Sequence, residues 1–153
     1  MNSENFAGNI IVNLANLPDF LRKPILRKRM DEFFTLSESD RLEVINNALE
    51  AGPTIPFPNF SKLFFTWLEI LAAMPEEKRV GLVSAYIFEV LRNPQKLILF
   101  NLDGILEVFL KIDQAYQENI AQSLNNIISG LSEQQKRQLF LMIPQSAKAK
   151  LGL

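Results

Sequence analysis

The sequence predicts an all-α fold: a short array of about three helical hairpins with a period of about 38 residues, preceded by an N-terminal helix and closed by a C-terminal capping helix. Three observations lead there. Apolar residues recur at i, i+3, i+4 and i+7 along most of the chain, the period of a helix with one buried face. These stretches are punctuated by cap and breaker residues such as Ser37, Gly52-Pro53, Asn93-Pro94 and Ser132. One hairpin pattern also returns at a fixed interval, as stacked helical units do. An irregular helical bundle accounts for the same pattern and stays open as the alternative.

The first helix spans 3–16, where Phe6, Ile10 and Leu14 share a face but Asn and Gly residues weaken the intrinsic preference. Pro18 suits the first turn of a second helix over 18–35, and Pro24 should kink it. Ser37 with Asp40 three residues later opens a helix over 38–51. The tract GPTIPFP at 52–58 is the clearest loop, with Ile55 and Phe57 tucked onto the core or presented to a partner. The helix at 59–73 is apolar except for a stripe of Lys62, Thr66 and Glu69, which places it centrally and makes Trp67 a core residue.

Pro75, Glu76 and Glu77 favour the start of a helix over 75–92, with Phe88 on its polar side. A single helix is expected over 94–111, because Ile98, Leu102, Ile105, Leu106 and Phe109 share one face. Asp113 caps a helix over 113–129, and Ser132 with Gln135 forms a capping box for a last helix over 132–142.

The repeat is visible when TWLEILAAMPEEKR (66–79) is set above GILEVFLKIDQAYQ (104–117), which aligns Leu68 with Leu106 and Glu69 with Glu107. The same step backwards reaches RMDEFFTLSESDR (29–41). The segments DRLEVINNAL and KRVGLVSAYI, with Arg41 and Arg79 in matching places, resemble the second helices of HEAT-type repeats over roughly residues 25–130, although Gln117 replaces the Arg in the third unit. The resemblance implies a stack of hairpins, each too small to bury its apolar faces alone.

Composition narrows the chemistry. The 153 residues suit one domain, and 48% hydrophobic with 22% charged content at net charge −1 is ordinary for a soluble globular protein. With neither Cys nor His, zinc fingers, thiol or imidazole nucleophile pairs and Glu-x-x-His metal bundles are ruled out. The sequence contains no Gly-rich phosphate loop and no G-x-S-x-G elbow. Ser146 and Lys150 lie four apart, but in a terminal tail unsuited to holding a nucleophile pair in fixed geometry. Neither a signal sequence nor a membrane span is apparent, so a cytoplasmic location is expected.

The expected function is therefore a non-catalytic protein-interaction module, an adaptor, scaffold or regulatory subunit, needing no cofactor or metal and capable of self-association. Its candidate partner-binding residues are the basic cluster Arg22, Lys23, Arg27, Lys28 and Arg29, together with Phe57, Lys62, Glu69, Phe88 and Glu107. Residues 1–30 carry five Lys/Arg against Glu4 and Asp19, so this part is about +3 and the remainder about −4. The cluster reads either as a solvated face or as a patch for nucleic acid or an anionic membrane surface. Asp31, Glu69 and Glu107 read either as a solvated edge or as a carboxylate ladder for a basic partner. A further alternative is an apolar-ligand carrier with a cavity among Phe60, Phe64, Trp67 and Phe109.

Overall fold

A computed structural model describes residues 6–151, and among them every regular element is helical. The elements are α1 (Phe6–Ala15), α2 (Asp19–Phe33), α3 (Glu38–Ala51), a 3₁₀ turn (Gly52–Thr54), α4 (Phe57–Ala73), α5 (Glu76–Arg92), α6 (Pro94–Ile98), α7 (Leu102–Phe109), α8 (Gln114–Ser129), α9 (Glu133–Met142) and α10 (Gln145–Leu151). Residues 3–5 of the expected first helix, and the side chains of Ser146 and Lys150, lie outside the described residues.

Helices of like rank pack on one another. α2, α4 and α7 make contact in that order in one layer, and α3, α5 and α8 do so in a second. α1 lies against α3 and α4, and α9 closes the far side against α5 and α6. One apolar core runs through all of it, with Leu14, Ile45, Leu71, Leu82, Ile120 and Leu139 among its members. Leu71, only 1% exposed, marks α4 as the central helix that its sequence predicts.

Several helix ends follow from single side chains. Ser37 accepts from the Asp40 amide at 3.2 Å, and Ser132 with Gln135 forms the complete reciprocal capping box. Asp113 occupies the N-cap of α8 as expected, but its side chain makes no capping hydrogen bond.

A second device recurs at the hairpin turns. The fourth residue after the N-cap of α2, α3, α5 and α8 reaches back to carbonyls at the end of the preceding helix or in the turn that follows it. Arg22 donates from Nε to the Leu14 carbonyl at 3.1 Å and from Nη2 to that of Leu17. Arg41 donates to the carbonyls of Phe33 at 3.1 Å and Phe34 at 2.8 Å. Arg79 donates to those of Ala72 at 3.0 Å and Met74 at 2.6 Å. Gln117, the apparent defect in the pattern, donates to those of Leu110 at 3.1 Å and Ile112 at 3.0 Å. A cation near a helix C-terminus also meets the negative end of its dipole, so three of these four contacts gain a charge term.

α2 continues through Pro24 from Asp19 to Phe33; Pro24 lies on the exposed side, and the carbonyl deprived of its partner is that of Phe20, a residue 76% exposed. Two expectations are corrected. The proline-rich tract is shorter than it looks, since α4 starts at Phe57 with the Asn59 and Phe60 amides bonded to the Pro56 carbonyl. The expected helix over 94–111 is two helices, α6 and α7, because Asn101 caps a new start by accepting from the Gly104 amide at 2.9 Å.

A candidate apolar cavity between the helical layers

α4 presents an aromatic ladder at helical spacing. Phe57, Phe60, Phe64 and Trp67 follow one another with ring centroids 6.1, 5.7 and 5.9 Å apart, the last two pairs nearly parallel at 13°. Phe100 packs on Phe60 at 5.6 Å, and Tyr86 of α5 meets Trp67 edge-on at 5.7 Å and 77°. Most of these rings are only partly buried, and all but Phe57 line an open space beside α4.

That space is a cavity of about 380 Å³ bounded by every helix from α1 to α9, with Leu14, Leu26, Leu49, Val90, Leu124 and Leu139 contributing to its wall. Its lining is hydrocarbon apart from the Tyr86 hydroxyl and the Trp67 indole N–H, and neither hydrogen-bonds another described residue. Burial pushes the Tyr86 phenol up to about 12, so it stays protonated and able to donate.

The break between α6 and α7 explains why the space is not filled. A continuous helix would carry Leu97, Ile98 and Leu102 past α4 on one face. The turn at 99–101 instead leaves Ile98 and Leu99 68% and 69% exposed, while Leu97, Phe100 and Leu102 reach the cavity. Two glycines allow aromatic rings to approach the backbone closely: a Cβ on Gly52 would lie 2.6 Å from the Phe100 ring of the wall, and one on Gly104 would clash with the Phe57 ring and lie 2.7 Å from the Asn101 side-chain amide.

The opposite end of α5 is packed with polar groups. Arg79, 7% exposed, donates from Nε to Ser123 Oγ at 2.8 Å in addition to its two carbonyls. Ser123, fully buried, donates in turn to the Asn119 carbonyl at 3.1 Å, and Asn119 donates to that of Ala72 at 3.2 Å. No carboxylate faces this guanidinium among the described residues; carbonyl dipoles solvate it instead.

The expected partner-binding residues separate into groups. Arg22, 4% exposed, is corrected to a structural residue, its donors engaged by the Leu14 and Leu17 carbonyls and by Asp19 at 2.5 Å. Lys23, Lys62 and Glu69 come together with Lys111 along a surface groove between α2, α4 and α7, where Lys23 pairs with Glu69 at 3.6 Å. Arg27, Lys28 and Arg29 stay exposed on α2, with Arg29 paired to Glu32 at 3.5 Å. Phe88 is 45% exposed and Glu107 is exposed, each away from the cavity. Phe57 is half-buried at the foot of the aromatic ladder, and Thr66 is not on a polar stripe but buried, donating to the Lys62 carbonyl at 3.0 Å.

Of the four rings expected around a cavity, Phe60, Phe64 and Trp67 line it and Phe109 does not. Tyr86 and Phe100 were not anticipated. The available signal for Tyr86 was its position seven residues after Arg79, two turns along the same face of α5. Among the described residues no group of acidic side chains is arranged to hold a metal ion, and no helix is long and apolar enough to cross a membrane. No family model, curated protein or solved structure matches this chain.

Proposed function

We propose that the protein binds an uncharged, largely hydrocarbon small molecule in the cavity between its two helical layers. The observation that carries this reading is the 380 Å³ apolar space beside the aromatic ladder of α4. The space is partly open to the surface, so its hydrocarbon wall is left against water unless an apolar ligand covers it, at roughly 25 cal/mol for each Å² so exposed. Water is a poor occupant, because it requires two to four polar partners and the wall supplies two donors. A hydrocarbon satisfies the wall and removes the vacancy.

The lining also selects the ligand. An apolar cavity of about 150 Å³ accommodates benzene, and the same ratio gives room for roughly 15 non-hydrogen atoms. With the Tyr86 hydroxyl and the Trp67 N–H as its polar groups, the wall favours a molecule with one acceptor oxygen, a ketone, ester or ether. A carboxylate is disfavoured, since no cationic side chain lines the cavity to compensate its desolvation.

Trp67, the only tryptophan, reports binding directly. Titration with a medium-chain ketone should give a saturable change in its fluorescence, the matching alkane a weaker one and the matching carboxylate none. Ala48→Phe, which fills the cavity from α3, should abolish the response while raising stability by about 1–2 kcal/mol. Absence of saturable binding for both ketone and alkane, or unchanged binding in the filled variant, would overturn the reading.

A second reading, a protein-interaction module as the sequence suggests, is supported by Leu141, which is 88% exposed on α9, and by Ile98 and Leu99 on the contacting α6 segment. Sedimentation velocity tests its self-association form: Leu141→Glu should convert a dimer to a monomer, and a monomer throughout the concentration range would remove that form.

A further inference from the structure

We propose that the outer face of α2 is a docking surface for an anionic lipid bilayer. The inner face of this helix is settled by packing: Arg22, Leu26, Met30 and Phe33 are buried. The outer face carries three large apolar side chains in the open, Phe20 at 76%, Leu21 at 39% and Ile25 at 38% exposure. Helical spacing sets Lys28 beside this apolar trio and places Arg27 and Arg29 at its flanks.

Charge complementarity identifies the occupant. Lys23 and Arg29 are engaged with Glu69 and Glu32, whereas Arg27 and Lys28 make no ion pair among the described residues. Residues 1–30 are about +3 and the remainder about −4, so the field of the chain turns α2 towards a negative surface and the acidic body away from it. Long basic side chains can keep their charge at headgroup level while neighbouring rings and aliphatic chains enter the acyl boundary.

A nucleic acid would use the same cations but gain nothing from Phe20 and Ile25. Asp19 at one end and Asp31 with Glu32 at the other also confine the positive strip to residues 20–29, about 15 Å of helix and too short to follow a phosphate backbone far. The proposal stands independently of the cavity: it uses the outer face of α2, whereas only Leu26, on its inner face, lines the cavity wall.

Co-sedimentation of the full chain with vesicles tests it. Vesicles of phosphatidylcholine mixed with phosphatidylserine should retain the protein, phosphatidylcholine alone should not, and added salt should release it. Arg27→Gln with Lys28→Gln should weaken binding about 25-fold, roughly fivefold per cation. Phe20→Ser with Ile25→Ser should weaken it at least tenfold at an unchanged melting temperature, both side chains being exposed. Equal binding to neutral vesicles, no binding to anionic ones at low salt, or indifference to the Phe20→Ser/Ile25→Ser change would overturn the proposal. So would displacement from the vesicles by an oligonucleotide that binds the Phe20→Ser/Ile25→Ser variant as tightly as the wild type.

Discussion

Arg79 and Tyr86 stand two turns apart on the same face of α5, about 10 Å along one helix, and meet opposite environments. Around Arg79 the Nε and Nη1 donors are matched by a buried serine and two carbonyls, one of which Asn119 shares. Around Tyr86 the phenol faces a hydrocarbon space and bonds to no described residue. The switch is equally abrupt on α8, where Ser123 belongs to the junction and Leu124 to the cavity wall. A polar cluster must be filled completely, because each stranded group costs about 1–3 kcal/mol. A hydrocarbon wall can be left apart at a cost spread over many atoms, which is what makes it available to a ligand.

The comparison is broken most strongly at its polar end. Arg79→Met should strand the Met74 carbonyl and take one of two partners from the Ala72 carbonyl and from Ser123, lowering stability by about 2–3 kcal/mol and the melting temperature by roughly 5–10 °C. At neutral pH, Tyr86→Phe should change stability by less than about 0.5 kcal/mol, since its hydroxyl has no protein partner to lose. Thermal melts of both variants measure the contrast. Equal losses would mean that the cavity end is as tightly specified as the junction.

Alkali separates the two ends next. The unfolded chain releases the Tyr86 proton near pH 10, while the folded chain holds it until about 12. Between those values the folded state binds more protons, so stability is untouched below pH 10 and falls as pH rises through the window. The wild type should lose about 2–3 kcal/mol more than Tyr86→Phe by pH 12, read from denaturant unfolding of both proteins. Identical pH profiles would show that Tyr86 is solvated rather than enclosed.

Much of the fold is legible from the sequence because its signals are local. Ser37, the Ser132–Gln135 box and the apolar face of α4 announce helices at once, and the paired positions Arg41 and Arg79 coincide with a real capping contact. The cavity is only half legible for a physical reason: helical periodicity gives the direction of a side chain but not the distance to whatever it faces. Phe60, Phe64 and Trp67 therefore read either as filled core or as the wall of a cavity. Leu97–Leu102 also hides its break, since Asn101 competes with a strong apolar period and prevails through a single hydrogen bond to Gly104. Arg22 reads as surface charge because its acceptors are backbone carbonyls, which leave no mark in a sequence.

Two glycines, Gly52 in the cavity wall and Gly104 outside it, sharpen the comparison on a smaller scale. Gly104→Ala would drive a methyl into the Phe57 ring and the Asn101 amide that caps α7, so a loss of about 1–3 kcal/mol is expected. Gly52→Ala meets only the edge of the Phe100 ring and, at longer range, that of Phe60. Phe100 has the cavity to move into, and the cost should stay under about 1 kcal/mol, with ligand affinity falling as the ring intrudes. Chemical denaturation of the pair measures the difference; a larger loss at Gly52 would mean that no room exists beside Phe100.

The smallest effect tests whether the capping contacts are one device. Gln117 performs with a neutral amide what Arg22, Arg41 and Arg79 perform with a guanidinium, donating to the end of α7 as they do to the ends of α1, α2 and α4. Gln117→Arg would keep the two carbonyl contacts and add a positive charge at the negative end of the α7 dipole. The contact is partly exposed, so the gain should be about 0.3–1 kcal/mol and should shrink with salt. Gln117→Met removes the donors and should cost about 1 kcal/mol, far less than Arg79→Met, because water can reach the freed carbonyls. If the arginine destabilises instead, the third turn differs from the others in backbone geometry and the recurrence at 41, 79 and 117 is coincidental. If it stabilises, residues 41, 79 and 117 occupy one structural position, and the 38-residue interval between them has a physical cause at each turn.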